Sequence, residues 1–413
     1  MVKDVVVLGA GIVGVSIALH FQKRGRSVLL IDRRKPGLET SFGNAGLIQR
    51  EGVYPYGFPH DFGALLRYAL NNTTDAHYHL SALPRIAPFL FQYWWHSRPT
   101  RHEEIARCYA PLIEHSVSEH LALAAEAGAT GLIRRTGWIK VFRDRRSMDE
   151  AVKDAEKTKR EFGVNFAALD RQGVAQEEPH LTAELAGGLH WTDPASVSDP
   201  HALTLAYVRL FERYGGELAS GDARTLDETA TGWRVETERG PVEARAAVIA
   251  LGAWADVLTD RLGYRLPLAV KRGYHMHYRP KDNAVLNHPT LDVDRGYFLA
   301  PMNAGIRLTT GAEFANRDAP KTPVQLERAE PIAREFFPLG ERGDPEPWMG
   351  VRPCTPDMMP IIGPASKHRG LWFAFGHAHH GLTLGPVTGR LIAEMVTDER
   401  PFLDPRPYRA ERF

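Results

Sequence analysis

Three glycines near the start of the chain have the spacing of a phosphate-binding turn. Gly9, Gly11 and Gly14 follow the pattern G-x-G-x-x-G, in which the first allows a sharp bend, the second admits a pyrophosphate and the third lets a helix pack closely on a strand. Asp32, roughly 20 residues further on, can accept hydrogen bonds from both hydroxyls of an adenosine ribose. The pattern predicts a dinucleotide site with these candidate residues in its turn: Gly9, Ala10, Gly11, Ile12, Val13 and Gly14.

The segments around this turn have the order that such a site requires. Residues 5–8 are an apolar run too short for a helix, Ile17 and Phe21 recur at helical spacing, and residues 27–31 form a second apolar run. The helix N-terminus then presents the positive end of its dipole to the phosphates. Arg33 follows this acid, and its positive charge means that a ribose with a 2′-phosphate stays an alternative ligand.

Arg352 is a second candidate for ligand binding. It stands between Gly350 and Pro353, so a stiff backbone presents a guanidinium fork that suits a carboxylate. The alternative is a surface ion pair, which is the role of most arginines. Cys354 could act as a nucleophile, but no base is adjacent in sequence and a buried structural thiol is the favoured interpretation.

Three histidines, His377, His379 and His380, suggest a metal site at first sight. Neither a carboxylate nor a cysteine is near them in sequence, so we predict no metal. The segment 376–383 instead has the character of a glycine-rich turn that opens a helix, with N–H groups free to face a carbonyl or anionic ring.

Composition excludes several classes of function. The chain has 413 residues, a net charge of +1 and two cysteines, which argues against nucleic-acid binding, a polybasic membrane patch and a disulfide framework. We expect a cytoplasmic protein without a transmembrane segment, and peripheral contact with the inner face of the cell membrane stays open. The aromatic segment 89–95 could contact a membrane or a partner, but packing in a core is the favoured interpretation.

The periodicity predicts an α/β protein with two domains. Residues 264–314 alternate as antiparallel strands, unlike the parallel unit at the N-terminus, and amphipathic helices are expected over 103–128 and 147–162. We predict a discontinuous Rossmann-like domain and a second domain with a mixed or antiparallel sheet and helices. The first comprises residues 1–80, 147–262 and 345–413, and the second residues 81–146 and 263–344.

Four segments together resemble the flavin-dependent amino-acid oxidase superfamily of the D-amino-acid oxidase and glycine/sarcosine oxidase type, and within it bacterial D-amino-acid dehydrogenases. They occur in the family's order over essentially the whole chain. The E-T-S-x-x-N-A-G and G-x-R-P-x-T-P-D segments are the more specific of the four. The segments span residues 7–14, 39–46, 350–357 and 376–383.

The resemblance implies FAD as the cofactor, held without a covalent bond because Cys354 is displaced from the position of the flavin-linking cysteine in some relatives. It also implies that Arg352 binds the substrate carboxylate, and Tyr274 or His275 could assist it. Besides the glycine turn, Asp32 and Arg33, the cofactor residues that it implies are Ser41, Asn44, Ala45, Gly46, Arg224, Gly252, Gly381, Leu382 and Thr383.

The activity implied is oxidative deamination of a D-amino acid to a 2-oxo acid and ammonia. Hydride passes to flavin N5, and a quinone or another acceptor, less readily oxygen, takes the electrons. The alternatives are oxidation of a secondary amine such as D-hydroxyproline, an N-methyl amino acid or an opine, a role as a flavin subunit of a larger complex, and a plain NAD dehydrogenase. The oligomeric state is left open.

Overall fold

The computed structural model describes residues 2–413, which form 11 helices and 22 strands besides short 3₁₀ turns. The helices are α1 Ile12–Lys23, α2 Phe62–Ala69, α3 Leu83–His96, α4 Pro99–Glu114, α5 Ser116–Ala127, α6 Arg145–Phe162, α7 Arg171–Glu177, α8 Pro200–Arg213, α9 Ala255–Arg261, α10 Val324–Phe336 and α11 Gly381–Val396. The strands are β1 Lys3–Leu8, β2 Val28–Asp32, β3 Leu47–Ile48, β4 Ala76–Tyr78, β5 Ile133–Arg134, β6 Trp138–Phe142, β7 Phe166–Asp170, β8 Gly187–Trp191, β9 Ala195–Val197, β10 Glu217–Ser220, β11 Asp227–Thr229, β12 Gly232–Thr237, β13 Gly240–Ile249, β14 Ala269–Pro280, β15 Thr290–Asp292, β16 Tyr297–Met302, β17 Gly305–Thr309, β18 Ala312–Phe314, β19 Leu339–Arg342, β20 Trp348–Cys354, β21 Ile361–Pro364 and β22 Leu371–Phe375.

The first sheet confirms the predicted Rossmann-like unit. Its strand order β10-β2-β1-β13-β12-β11 places β1 at the centre, parallel to both neighbours, with Val7 opposite Leu30 on one side and Val248 on the other. β22 continues the sheet next to β13, again in parallel. The buried parts of β1 and β2 are apolar on both faces, because alternate side chains join two different clusters. One cluster includes helices α1, α8 and α11, and the other includes α9, β12, β21 and β22.

The second sheet has 11 strands and is mainly antiparallel, as the alternation over 264–314 predicts. Its long strand β14 pairs with β17, β18, β19 and β20, all antiparallel to it. Helix α10 covers one face of this sheet with Leu326, Ala329 and Phe336, which join the buried cluster around Met276 and Leu308. The predicted α/β class with a second mixed sheet is therefore confirmed.

The two sheets cross the boundaries predicted for the domains. β4, within 1–80, and β7 and β8, within 147–262, all pair in the second sheet. Within 81–146, in contrast, the helices α4 and α5 pack against α11 on the nucleotide-binding side. The assignment of these segments to one sheet or the other depends on strand pairing between distant parts of the chain. The local composition of a segment does not predict that pairing.

Two helical predictions had different outcomes. The helix predicted over 103–128 consists of two helices, α4 and α5, separated at His115, and the second ends at Gly128 with φ of +68°. The helix predicted over 147–162 is confirmed as α6, which Asp144 caps by accepting a hydrogen bond from the Ser147 N–H at 2.9 Å.

The aromatic segment 89–95 lies in α3 and is divided between core and surface. Phe89 and Tyr93 are 8% and 5% exposed, whereas Phe91 and Trp95 are 62% and 45% exposed. The prediction that this segment packs in a core is therefore confirmed for one face of the helix only. In residues 2–413, none of the helices combines the length and the apolar character needed to cross a lipid bilayer.

Helices α1 and α11 pack closely because glycines remove side chains from their contact. A Cβ atom on Gly389 would lie 2.7 Å from the carbonyl carbon and oxygen of Ser16, and one on Gly385 would lie 3.2 Å from the Ile12 side chain. This contact fixes the start of α1, and with it the glycine turn, relative to the start of α11.

We expect Gly389→Ala to destabilise the fold by about 1–3 kcal/mol, because the methyl group has no space against the α1 backbone. The measurement is the free energy of unfolding from urea titration. Gly131→Ala is the matched control, since a Cβ atom there meets nothing within 4 Å. Equal stability of the two variants would contradict the close packing described.

Candidate active site

A cavity of about 890 Å³ extends from the glycine turn to Arg352. Most of the predicted site residues line it, although they come from distant parts of the chain. These are Gly9, Gly11, Ile12, Val13, Asp32, Arg33, Ser41, Asn44, Ala45, Arg224, Gly252, Gly381, Leu382, Tyr274 and Arg352. The predicted residues Ala10, Gly14, Gly46, Thr383 and His275 are not among its lining residues.

The glycine turn leaves the start of α1 open to the cavity. Gly9 has φ of +108°, and a Cβ atom there would lie 2.5 Å from the Ala250 carbonyl oxygen. A Cβ atom on Gly14 would overlap the Gly9 carbonyl. The N-cap of the helix is Gly11, which has no side chain to cap it. Ser41 binds the Ile12 N–H, and the other N–H groups of the first turn can face an anion.

Asp32 stands at the end of β2 with both oxygens oriented by backbone N–H groups. Its Oδ2 accepts from Ala10 at 2.7 Å and its Oδ1 accepts from Arg34 at 2.9 Å. The neighbouring Arg33 lies over the Trp254 ring, 5.4 Å from the centroid, while Arg224 pairs with Asp222 at 2.6 Å. The Ala10 N–H thus orients a carboxylate that lines the cavity, although Ala10 itself does not line it.

The loop 39–46 is held from both sheets. Its Ser41 hydroxyl accepts from the Ile12 N–H at 3.0 Å, which ties the loop to the start of α1. Its Asn44 side chain accepts from the Gly46 N–H at 2.9 Å. From the second sheet, Arg307 donates to the Asn44 carbonyl oxygen.

Arg307 is itself fixed by a buried polar chain that the sequence analysis missed. Its Nε donates to His277 Nε2 at 2.9 Å, and His277 Nδ1 donates to Asp344 at 2.8 Å. The arginine is the donor, so His277 Nε2 carries no proton and the ring is neutral. Burial lowers the pKa of Arg307 to about 10, so its charge persists at neutral pH.

The first residues of α11 have two different roles: some line the cavity, and one holds the helix to a neighbouring strand. Gly381 and Leu382 reach the cavity, and the Leu382 carbonyl accepts from His120 Nε2 at 2.6 Å. The Thr383 hydroxyl lies behind them, where it donates to the Leu47 carbonyl at 3.1 Å and accepts from the Gln49 N–H at 3.2 Å. Thr383 thus fastens α11 to β3.

Arg352 lies on β20 with its guanidinium flat over Gly273, where a Cβ atom would overlap it. Nη1 donates to the Gly311 carbonyl at 2.8 Å and Nη2 donates to the Thr310 carbonyl at 3.5 Å, which leaves the other N–H groups of the guanidinium for a ligand. Burial lowers the pKa of Arg352 from its ordinary value. Among the residues that the structure describes, no acidic side chain forms an ion pair with it.

The Tyr274 hydroxyl is engaged away from the cavity, and the His275 ring is buried in an aromatic contact. The Tyr274 hydroxyl donates to Glu313 at 2.9 Å and accepts from Arg272 at 2.8 Å, on the opposite face of β14. The His275 ring stacks on Trp348 with centroids 4.8 Å apart, and burial lowers its pKa strongly. Their assistance to Arg352 stays a prediction, and this geometry favours structural roles for both.

Cys354 and the C-terminal histidines are buried in separate environments. Burial raises the pKa of the Cys354 thiol, whose contact at 3.6 Å is the Arg352 carbonyl. His377 Nε2 bonds to the Thr388 hydroxyl at 2.9 Å, and His380 Nδ1 bonds to the Tyr109 hydroxyl at 2.8 Å. The pKa values of His377 and His380 fall to about 3 through burial, so both rings are neutral.

Lys271 is a lining residue that the sequence analysis missed. It lies directly opposite Arg352 in the pairing of β14 with β20, and it is 7% exposed. Alternation along 269–278 could have placed it on the same face as Gly273, but only the register of the two strands brings it to Arg352.

These features fit a flavin dinucleotide. A cradle of backbone N–H groups, an oriented carboxylate at the end of β2 and a second helix start at Gly381 all open on one cavity. At Gly9 and Gly14 a Cβ atom would clash with the protein's own backbone, so these glycines permit the turn and its close packing. Gly11, which lies between them in the sequence and lines the cavity, has no side chain to keep a pyrophosphate from the start of α1.

Comparisons with known proteins agree with this fit. The sequence model of the DAO family, described as FAD dependent oxidoreductase, matches residues 4–395. A D-amino-acid oxidase of Bradyrhizobium diazoefficiens is 30% identical over 100% of this chain and 99% of its own, and a D-amino acid dehydrogenase of Rhizobium johnstonii is 30% identical over 99% of each. The structure of glycine oxidase from Geobacillus kaustophilus superposes with a TM-score of 0.78 at 23% identity, covering 100% of this chain and 99% of that one.

We expect Asp32→Ala to raise the dissociation constant for FAD about 10- to 100-fold, because one charged acceptor is lost. FAD titration of the stripped protein, followed by the quenching of flavin fluorescence, measures the change. Glu228→Ala on β11 is the control, being an exposed acid of the same sheet. Unchanged affinity in Asp32→Ala would remove this carboxylate from the cofactor site.

Proposed function

The chain belongs to the DAO family of FAD-dependent oxidoreductases, and from that premise we propose that it oxidatively deaminates a D-amino acid to a 2-oxo acid and ammonia. FAD occupies the cavity without a covalent bond to Cys354, whose thiol burial keeps protonated. The electrons then pass to a quinone or another acceptor. The name D-amino acid dehydrogenase, carried by the Rhizobium johnstonii relative, supports this choice of substrate and acceptor.

The observation that carries the proposal is the isolated guanidinium of Arg352. It lines the same cavity as the glycine turn, its plane is supported by Gly273, and carbonyl oxygens hold only part of its donor set. A planar fork with free N–H groups binds a carboxylate through two parallel hydrogen bonds. We therefore assign it to the α-carboxylate of the substrate.

When bound, FAD supplies a ring that accepts hydride from the α-carbon. The chain's own part is positioning and electrostatics. Arg352 fixes the carboxylate, so one face of the α-carbon is directed toward the flavin-binding part of the cavity. Burial lowers the pKa values of His377 and His380 to about 3, so both rings are weak bases at neutral pH. Hydride transfer needs no base from the protein when the amine binds unprotonated.

The experiment that tests the proposal is an anaerobic reduction panel. The FAD-loaded enzyme is mixed with D-amino acids, L-amino acids and secondary amines, and loss of the flavin absorbance is followed. We expect rapid bleaching by D-amino acids, slower bleaching by secondary amines and none by the L-enantiomers. Bleaching by secondary amines alone would replace the proposed reaction with its alternative.

We expect Arg352→Lys to raise KM for the best substrate of that panel at least 10-fold and Arg352→Ala about 100-fold, because each loses part or all of the bidentate contact. Steady-state kinetics with an artificial dye measures the effect. Arg239→Ala, at an exposed turn, is the control. An unchanged KM in Arg352→Ala would separate this residue from substrate binding.

A further inference from the structure

Lys271 and Arg352 form a pair of like charges on one wall of the cavity. The two residues are direct neighbours across the antiparallel strands β14 and β20, so their side chains project from the same face of the sheet. Both line the cavity, and Lys271 is 7% exposed. Like charges directly opposite each other destabilise a sheet, and burial adds to the cost.

Lys271 has no acidic partner among residues 2–413. Its Nζ lies 3.9 Å from Met358 Sδ, 3.9 Å from the centroid of the Tyr93 ring and 5.4 Å from that of Phe314. The aromatic faces stabilise a cation only partly. Burial and the nearby Arg352 lower the pKa of Lys271 to about 8, which still leaves it mainly protonated at neutral pH.

The acids that line the cavity are engaged elsewhere. Asp32 accepts from backbone N–H groups, and the other three form ion pairs with arginines outside this pair. The ion pairs are Glu39 with Arg34 at 2.7 Å, Asp75 with Arg67 at 3.3 Å and Asp222 with Arg224 at 2.6 Å. The wall around Lys271 and Arg352 therefore keeps two positive charges that the protein does not neutralise.

The neighbouring residue on β14 shows that this arrangement is specific to the cavity face. Arg272 points to the other face and forms an ion pair with Glu313 at 2.6 Å, in which both side chains are fully buried. A buried cation one residue away is thus neutralised by the protein itself. A ligand must supply the equivalent negative charge for Lys271.

We propose that Lys271 and Arg352 together select a substrate with two carboxylates, Arg352 binding the one next to the amine and Lys271 the second. The proposal rests on the proposed function and narrows its substrate class. The shared chemistry is an amine with two acid groups, as in D-aspartate, D-glutamate or the secondary amine iminodiacetate.

The FAD-loaded wild type and its Lys271→Met variant test this in anaerobic reduction with those three amines, and with D-alanine and D-leucine as neutral substrates. We expect the wild type to prefer a dicarboxylic amine. In Lys271→Met, kcat/KM for that amine falls about 10- to 100-fold, the loss typical of one charged hydrogen bond, while neutral substrates change less than about 3-fold. Lys271→Arg retains the preference.

Lys281→Met, at an exposed position just after β14, is the matched control and leaves all substrates unchanged. A wild type that prefers neutral substrates, or a variant that loses all substrates equally, overturns the proposal. Equal loss would assign Lys271 to the cofactor instead. FAD content and the melting temperature of each variant report folding separately.

Equilibrium binding gives a readout that does not depend on turnover. Calorimetry of the FAD-loaded protein should show succinate binding at least 10-fold more tightly than propionate, and Lys271→Met should abolish the difference. If no amine bleaches the flavin, the proposed function fails while succinate binding still tests the charge pair. Equal affinities for the two acids in the wild type overturn the pair's role.

The same difference should depend on pH. The charged and titratable groups that face Lys271 are Arg352 and Cys354 on β20, Tyr93 on α3, and His379. Burial keeps the pKa values of Cys354 and Tyr93 high and that of His379 low, so these three groups stay neutral near pH 8. Lys271 loses its proton as the pH rises through about 8, and the preference for succinate should decline above that value. A preference that stays constant to pH 10 contradicts the assignment.

Discussion

The alternation of side chains along β14 decides what the cavity contains. Arg272 and Tyr274 project to one face, where Glu313 neutralises the arginine and the tyrosine hydroxyl completes the network. Lys271 and Gly273 project to the other face, where the missing side chain of the glycine gives Arg352 space to lie flat. A shift of one residue in the register of β14 with β20 would exchange these two sets, turn Lys271 into the second sheet's own core and separate it from Arg352.

The two sheets divide the work of the site. The first supplies backbone: a helix start whose N-cap is a glycine, glycines where a Cβ atom would clash, and an acid whose oxygens are already oriented. The second supplies side-chain charge at the far end of the same cavity. Backbone contacts suit a cofactor shared by a whole family, whereas side-chain charge can differ between members with different substrates.

The nucleotide-binding unit, which was predicted correctly, is local in sequence. The glycine turn and its flanking strands lie within 32 residues, so spacing alone describes the unit, and the family resemblance added FAD. Lys271 was missed because its importance comes from pairing with a strand about 80 residues away. The assistance predicted for Tyr274 stays a prediction, because alternation in the sequence does not tell which face of β14 meets the cavity. The division into domains depends on strand pairing over similar distances, as β4, β7 and β8 illustrate.

The contact between Arg307 and the Asn44 carbonyl has a thermodynamic consequence. It joins the loop beside the start of α1 to a strand of the other sheet, and His277 and Asp344 keep the arginine in place. Any ligand that orders this loop therefore also favours the native arrangement of β17 and β14. Cofactor binding and the folding of the second sheet are therefore linked equilibria. A substitution that destabilises either sheet should also weaken the binding of the cofactor.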